Sequence, residues 1–279
     1  MNSPWVLRVD GLGKRYGRGC GLCSKNTGPL AGANSCANCG SILACTNVSF
    51  DLLPGETLGI VGESGSGKST VLRCLFLDEE PTWGSAYLSG FHRGERDIFT
   101  ASPPERRELR AATMGLAYQN PAAGLNLHIT AGGNIAERLL NVRVRSVAEI
   151  RDRAGYLLRR TEVPHDRMDD IPAHFSGGMQ QRVQLAKVMA NNPSVLLLDE
   201  LTTGLDVSVQ AGVLDLVREL QEQLHIAMVV VSHDLGVIRL LAGRTMVMKD
   251  GQVVESGLTD QVLEDPHHPY TQLLVASMT

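Results

Sequence analysis

Residues 62–70 read Gly-Glu-Ser-Gly-Ser-Gly-Lys-Ser-Thr, and no other stretch constrains the fold as much. Gly62, Gly67, Lys68 and Ser69 occupy the fixed positions of the phosphate-loop pattern G-x-x-x-x-G-K-[ST]. The flanks suit it. Leu58-Gly59-Ile60-Val61 predicts a short buried strand, and Thr70 to Leu77 predicts the start of a helix. Glycines let the backbone turn its N–H groups of Glu63, Ser64, Gly65 and Ser66 inward, and a helix N-terminus adds the positive end of a dipole. Lys68 would then reach the β- and γ-phosphates of a nucleoside triphosphate and Ser69 would hold Mg²⁺.

The chain of 279 residues suits one large α/β domain or a core with a smaller subdomain. A net charge of −4 argues against a nucleic-acid-binding surface, so no nucleic-acid partner is expected. No run reaches the roughly 18 apolar residues of a membrane span, and the N-terminus lacks the apolar run of a secretory signal. A cytoplasmic location without direct membrane insertion is expected.

Trp5 to Val9 predicts a strand and Gly11 to Gly17 a loop carrying Tyr16. Residues 18–44 differ in composition, being rich in Gly, Asn, Ser and Cys, and predict an insertion outside the core. Within it lie Cys20-x₂-Cys23 and Cys36-x₂-Cys39, twelve residues apart, the spacing of a four-thiolate metal site. Zn²⁺ fits best, being redox-inert and content with tetrahedral sulfur. Disulfides, disfavoured in the cytoplasm, and an iron site are the alternatives. So polar a segment would draw its folding energy from the metal. Loss of the metal is expected to disorder residues 18–44 and to spare nucleotide binding. Cys45 and Cys74 lie outside the knuckles, and Cys74 predicts a small core residue.

Further along, Pro103-Pro104 opens a basic helix whose Arg106, Arg107 and Arg110 read as a solvated face. Met114 to Tyr118 predicts a strand ending at Gln119. Residues 130–190 are mostly helical in pattern, interrupted at Ser176-Gly177-Gly178, with a helix from Met179 to Ala190. Val195 to Leu198 predicts a buried strand ending in Asp199-Glu200, followed by a helix with an apolar stripe from Val209 to Leu224. Ala227 to Val231 predicts another strand, ending in Ser232-His233-Asp234, and residues 245–255 predict a hairpin across Asp250-Gly251. Strands alternating with helices imply a largely parallel sheet. Asp199 would sit at its C-terminal edge, where ligands of open α/β sheets bind, and Glu200 beside it could polarise an attacking water.

Ser176-Gly177-Gly178-Met179-Gln180-Gln181-Arg182 resembles the signature motif of ATP-binding-cassette ATPases, lying just upstream of the Asp199-Glu200 strand as in that family. Other marks follow in family order. Tyr16 matches the aromatic that stacks on adenine, Gln119 the glutamine that senses γ-phosphate and Mg²⁺, Thr203-Gly204-Leu205-Asp206 the loop that contacts the opposite monomer, and His233 the switch histidine. Leu201 departs from the proline usual after the catalytic glutamate. The resemblance implies a P-loop NTPase of the ABC type over residues 1–279: a RecA-like core, an antiparallel β subdomain and a helical signature subdomain near 122–190. It implies a head-to-tail homodimer, or a pair of ABC ATPases, in which each ATP lies between one copy's phosphate loop (Gly62 to Thr70) and the other's Ser176, Gly177, Gly178 and Asp206. Mg²⁺ would be held by Ser69, Gln119 and Asp199. Lys68, Gln119, Glu200 and His233 would serve hydrolysis, with Glu200 as general base.

Asp265-Pro266-His267-His268-Pro269-Tyr270-Thr271 resembles the tail of oligopeptide-importer ATPases. Joined to residues 131–135, 175–182 and 251–260, it resembles more closely the ATPases of the bacterial carbon–phosphorus lyase system. That resemblance implies docking on a soluble lyase core and an ATP-driven conformational step in phosphonate breakdown. A peptide or nutrient importer subunit is the second reading. A zinc-bearing DNA-repair ATPase, motivated by the knuckles and opposed by the net charge, is the third. No C-x-x-x-C-x-x-C radical-cluster motif is present.

Overall fold

The computed structural model describes residues 4–277, which fall into two compact units, residues 4–101 with 227–277, and Ser102–Ile226. The first unit begins with β1 (Leu7–Tyr16) and β2 (Ile42–Leu52), paired antiparallel. β3 (Thr57–Val61), wholly buried, leads through the phosphate loop into α1 (Lys68–Leu75). β4 (Trp83–Leu88) pairs with the other side of β1, giving a three-stranded antiparallel sheet in the order β2-β1-β4.

The second unit holds α2 (Pro103–Glu108), β5 (Met114–Ala117), α3 (Pro121–Gly124), α4 (Ala131–Asn141), α5 (Val147–Arg160), α6 (Gly177–Val188), β6 (Val195–Asp199) and α7 (Val207–Leu224). β5 and β6 pair in parallel and are buried throughout. The unit is therefore wider than the helical segment 122–190 expected from sequence, because it also carries this strand pair and α7.

The chain then re-enters the first unit with β7 (Ala227–Ser232), α8 (Leu235–Leu241), β8 (Arg244–Lys249), β9 (Gln252–Leu258), α9 (Thr259–Glu264) and α10 (Pro269–Ala276). β3 pairs in parallel with both β7 and β8, and β9 closes the far side antiparallel to β8. Every residue of β3 and β7 is buried. Continuous apolar runs such as Ala-Met-Val-Val-Val are what a parallel strand covered on both faces requires.

Three boundaries differ from the sequence reading, each for a physical reason. β1 does not stop at Val9 but runs to Tyr16, because register shifts at Val9/Leu12, Leu12/Lys14 and Lys14/Arg15 let a glycine-containing strand keep pairing with β2. Gly11, at φ +60°, sits inside the first of them. β2 begins at Ile42, inside the segment assigned to the insertion, and buries Leu43 and Ala44. Ser176-Gly177-Gly178 does not interrupt a helix. It starts one, with Ser176 as the N-cap of α6 and its side chain accepting from the Met179 N–H.

The phosphate loop is set by close approaches that exclude side chains. A Cβ on Gly67, at φ +103°, would lie 1.9 Å from the Ala44 carbonyl oxygen, and one on Gly62 would lie 2.1 Å from that of Met248. Gly65 also has positive φ, +84°, but open space around it. Gly67→Ala should therefore lower unfolding stability by about 2–3 kcal/mol, and Gly65→Ala by only about 1 kcal/mol. Denaturant unfolding of the two variants checks the difference, and equal losses would refute the steric account.

Candidate functional site

Within the first unit, Lys68 is buried at 4% exposure, and its Nζ donates to the Gly62 and Glu63 carbonyls, both at 2.8 Å. The ammonium is thus seated at the loop that the sequence assigns to phosphate. Ser69 and Thr70 follow on the first turn of α1, both half-buried. Three segments far away in sequence brace the loop. The Tyr270 hydroxyl, on α10, accepts from the Glu63 N–H at 2.9 Å, and Asn34 Nδ2 donates to the Gly65 carbonyl at 3.0 Å. Gly251, in the β8–β9 turn, donates its N–H to the Ser66 carbonyl at 3.1 Å.

Asn34 was not marked by sequence, and Tyr270 was marked only as a member of the importer-like tail. The importer-like tail has a structural purpose here. Glu255 accepts from the N–H groups of His267 and His268, and the His268 ring caps α10 by accepting from the Tyr270 N–H at 3.1 Å. That arrangement delivers the Tyr270 ring beneath Lys249, whose Nζ stands 4.9 Å from its centroid.

Tyr16 ends β1 and is 38% exposed, with Lys14 Nζ 5.0 Å from its ring centroid and its hydroxyl donating to Glu79. Burial and the Glu79 carboxylate push the phenol up to about 12, so it stays protonated. His233 is exposed in the loop after β7, beside Asp234, which caps α8 by accepting from the Gly236 and Val237 N–H groups.

The four cysteines of the knuckle converge. Their sulfurs all lie within 4.8 Å of one another, with Cys20–Cys23 at 3.7 Å, Cys20–Cys36 at 3.8 Å and Cys23–Cys39 at 3.5 Å. Thiolates at the Zn–S distance of about 2.3 Å on a tetrahedron stand about 3.8 Å apart. All six cysteines are free. Cys23 and Cys36 are buried against Leu43, with Trp83 packed beside them. Hydrogen bonds from the Ser41 side chain and backbone pull the Cys39 thiol down to about 6. The Cys20 N–H pulls Cys23 down as well, but burial and the neighbouring sulfurs outweigh it and leave that thiol raised to about 11. Cys45 and Cys74, outside the cluster, are pushed by burial to about 12 and are packing residues.

Within the second unit, Asp199 closes β6 at 4% exposure. Glu200 follows at φ +45°, a left-handed conformation costly for a side-chain-bearing residue. Its carboxylate accepts from Gln119 Nε2 at 2.9 Å and from the Thr203 hydroxyl at 3.1 Å, so the structure brings the expected base and the expected sensor glutamine together. Two fully buried glutamines of α6 hold this arrangement. Gln181 Nε2 donates to the Gln119 carbonyl at 3.2 Å and to the Leu201 carbonyl at 3.1 Å. Gln184 takes the Tyr118 N–H at 2.8 Å, returns a bond to the Tyr118 carbonyl at 3.0 Å and donates to Gln181 at 2.6 Å. Leu201, which stands where proline was expected, is buried and held through its carbonyl. The usable signal was two glutamines three apart on the otherwise apolar buried face of α6.

Gly177 and Gly178 differ in kind. A Cβ on Gly178 would lie 2.3 Å from Val209 Cγ1, whereas at Gly177 the nearest atom is 3.9 Å away. Gly178 is a packing requirement. Gly177 leaves the exposed start of a 12-residue helix open to an anion. Asp206 caps α7, accepting from the Val209 N–H at 3.0 Å and the Ser208 hydroxyl at 2.7 Å, and these bonds hold its carboxyl below the usual range. Val207 beside it is 85% exposed.

A phosphate loop with a seated lysine, a buried strand-end aspartate followed by a glutamine-bracketed glutamate, and an open-ended signature helix define an ATP-binding-cassette ATPase. The chain belongs to that family: the profile described as ABC transporter matches residues 45–203. Among its relatives is the phosphonates utilization ATP-binding protein PhnK of Escherichia coli (strain K12), 52% identical over 233 residues, which are 84% of this chain and 90% of that protein. The dipeptide transport ATP-binding protein DppF of Haemophilus influenzae is 38% identical over 99% of this chain and 78% of its own length. A solved dimeric structure of the ATP-binding cassette MJ0796 in a post-hydrolysis state, bound to ADP and Pi, superposes with a TM-score of 0.75 at 28% identity, over 91% of this chain and 98% of that one. No helix among the described residues is long and apolar enough to cross a membrane.

Gln181→Leu removes the donor shared by the Gln119 and Leu201 carbonyls. Steady-state ATPase kinetics should show kcat falling about tenfold, with the KM for ATP little changed, because the bracket holds Gln119 and Leu201, which flank the expected base, and not the phosphate loop. A rise in KM at unchanged kcat would refute that assignment.

Proposed function

We propose that this chain is an ATP-hydrolysing subunit of phosphonate utilization that works as a head-to-tail dimer, docks on a soluble carbon–phosphorus lyase core in the cytoplasm and drives a conformational step there. The 52% identity to the E. coli protein named for phosphonates utilization carries this reading. The peptide-transport relatives, at 38–41% identity, support the importer reading less strongly.

In the proposed chemistry, Lys68 and the loop N–H groups hold the phosphates, and Tyr16 stacks on adenine. Ser69, Asp199 and Gln119 are hard oxygen donors suited to Mg²⁺, which when bound neutralises charge on the β- and γ-phosphate oxygens. Glu200 takes the proton of the attacking water, and His233 contacts the γ-phosphate. The open helix start at Ser176 and Gly177, and the exposed Val207 beside Asp206, suit closure against a second copy. Gln119 and Thr203 both donate to the same carboxylate oxygen of Glu200, which fixes the orientation of the base.

The donor set of the knuckle suits zinc, held by Cys20, Cys23, Cys36 and Cys39. At pH 7 Cys39, lowered to about 6, already enters as thiolate, whereas Cys23, raised to about 11, must lose its proton. Metal affinity should therefore rise with pH between 6 and 8. Metal competition titrations across that range check the direction, and elemental analysis should find one zinc per chain, lost in Cys36→Ser.

Glu200→Gln should cut ATP hydrolysis by roughly 10²–10⁴-fold and trap an ATP-bound dimer visible by size-exclusion chromatography. Unimpaired hydrolysis would remove Glu200 as base. Affinity isolation of the intact protein from its host tests the partner. Soluble subunits that bring phosphonate-cleaving activity support the lyase reading, and membrane-embedded subunits overturn it in favour of an importer.

A further inference from the structure

We infer that the cysteine knuckle positions the phosphate loop: Asn34 couples metal occupancy of the four-thiolate cluster to nucleotide affinity. The inference rests on the metal reading of the cluster and goes beyond it, and it reverses the expectation that metal loss spares nucleotide binding.

The loop is braced at each of its turns. Gly62 packs on the Met248 carbonyl, Glu63 donates to Tyr270, Ser66 accepts from Gly251, and Gly67 packs on the Ala44 carbonyl. Gly65, at the apex, has no atom within 4 Å of a would-be Cβ, and its carbonyl takes the hydrogen bond from Asn34. A trans peptide is rigid and planar, so fixing that carbonyl also fixes the direction of the Ser66 N–H in the same unit. A phosphate loop binds anions through such N–H groups, and a loop already ordered forfeits less entropy on binding.

Asn34 is itself held by the knuckle. Its carbonyl accepts from the Leu43 N–H at 2.8 Å, Ser35 bridges Ile42, and the Cys36 N–H donates to the Ser41 carbonyl at 2.8 Å. One short hairpin therefore carries Asn34 on its arm and Cys36 and Cys39 at its tip. The second arm, with Cys20 and Cys23, meets the first through the sulfurs and through Asn38 Nδ2, which donates to Cys20 Sγ at 3.3 Å. Elsewhere the arms meet through the Gly19 N–H, which donates to the Ser41 hydroxyl at 2.9 Å, and through the Gly28 N–H, which donates to the Ala33 carbonyl at 2.7 Å; a metal adds the one link that joins all four cysteines, and its loss loosens the hairpin that aims Asn34. Asn34 also borders a polar cleft of about 160 Å³ beside the loop, which Lys249, Asp250 and Tyr270 line as well. By linkage, if metal favours nucleotide then nucleotide favours metal to the same degree.

The test uses the purified full chain, a non-hydrolysable fluorescent ATP analogue and a chromophoric zinc chelator. Asn34→Ala should keep one zinc per chain, weaken the analogue about fivefold, and raise the KM for ATP without changing kcat. In the natural protein the analogue should slow zinc release to the chelator. In Asn34→Ala that slowing should vanish. Tyr270→Phe, which removes a different distant brace, should weaken the analogue yet keep the slowing, separating a specific link from general loosening of the loop. Zinc release indifferent to the analogue in the natural protein, or equally slowed in Asn34→Ala, overturns the coupling. Absence of zinc from the natural protein overturns the metal reading and the coupling with it, while an unchanged analogue affinity in Asn34→Ala overturns the Asn34 contact independently of metal.

Discussion

The pressing of two backbone carbonyls against two glycines is the constraint on which the rest of the first unit depends. Ala44 belongs to β2 and Met248 to β8, so Gly67 and Gly62 tie the phosphate loop to two different sheets at once. Such approaches leave no slack for a Cβ, and they turn the loop's direction into a property of strand register. The β8–β9 turn is bound into the same arrangement, since a Cβ on Gly251 would meet the Leu43 carbonyl at 2.5 Å while its N–H serves Ser66. The lysine needs no further steering once the backbone is set, because its ammonium finds two carbonyls within 2.8 Å.

In the second unit the equivalent work falls to side-chain amides. Gln181 and Gln184 are buried in full, and burying an amide is costly unless its donors and acceptors are matched. Here the carbonyls of Tyr118, Gln119 and Leu201 and the Tyr118 N–H meet them. The result is a polar bracket in an apolar setting that fixes the ends of β5 and β6 in relation to each other. It also accounts for how Leu201 serves where a proline would stiffen the chain. Rigidity that a ring would supply covalently is supplied through a carbonyl.

What was legible in the sequence was what depends on neighbours in sequence. The runs of β3, β6 and β7, the strand-loop-helix around Lys68, the Asp250-Gly251 turn and the pairing of two Cys-x-x-Cys knuckles all follow from local pattern. The length of β1 did not, because its bulges disguise a strand as a glycine-containing loop. The N-cap role of Ser176 was hidden because two glycines after it resemble a break. Tyr270, 207 residues from Glu63, and Asn34, 31 residues from Gly65, were out of reach for a different reason. Their importance lies in a single hydrogen bond to a distant backbone atom, and no periodicity announces that.

The place of the knuckle in the chain carries one more consequence. It leaves after Tyr16 and returns at Ile42, two residues that are themselves paired across the β1–β2 ladder. The excursion therefore starts and finishes at one point in space, and its closure is already enforced by strand pairing. Lengthening or shortening such a loop alters chain entropy only logarithmically. An ancestral cassette could take up or discard a whole metal-binding module at this junction without disturbing either sheet, which makes the β1–β2 connection a natural port for adding a second input to an ATPase.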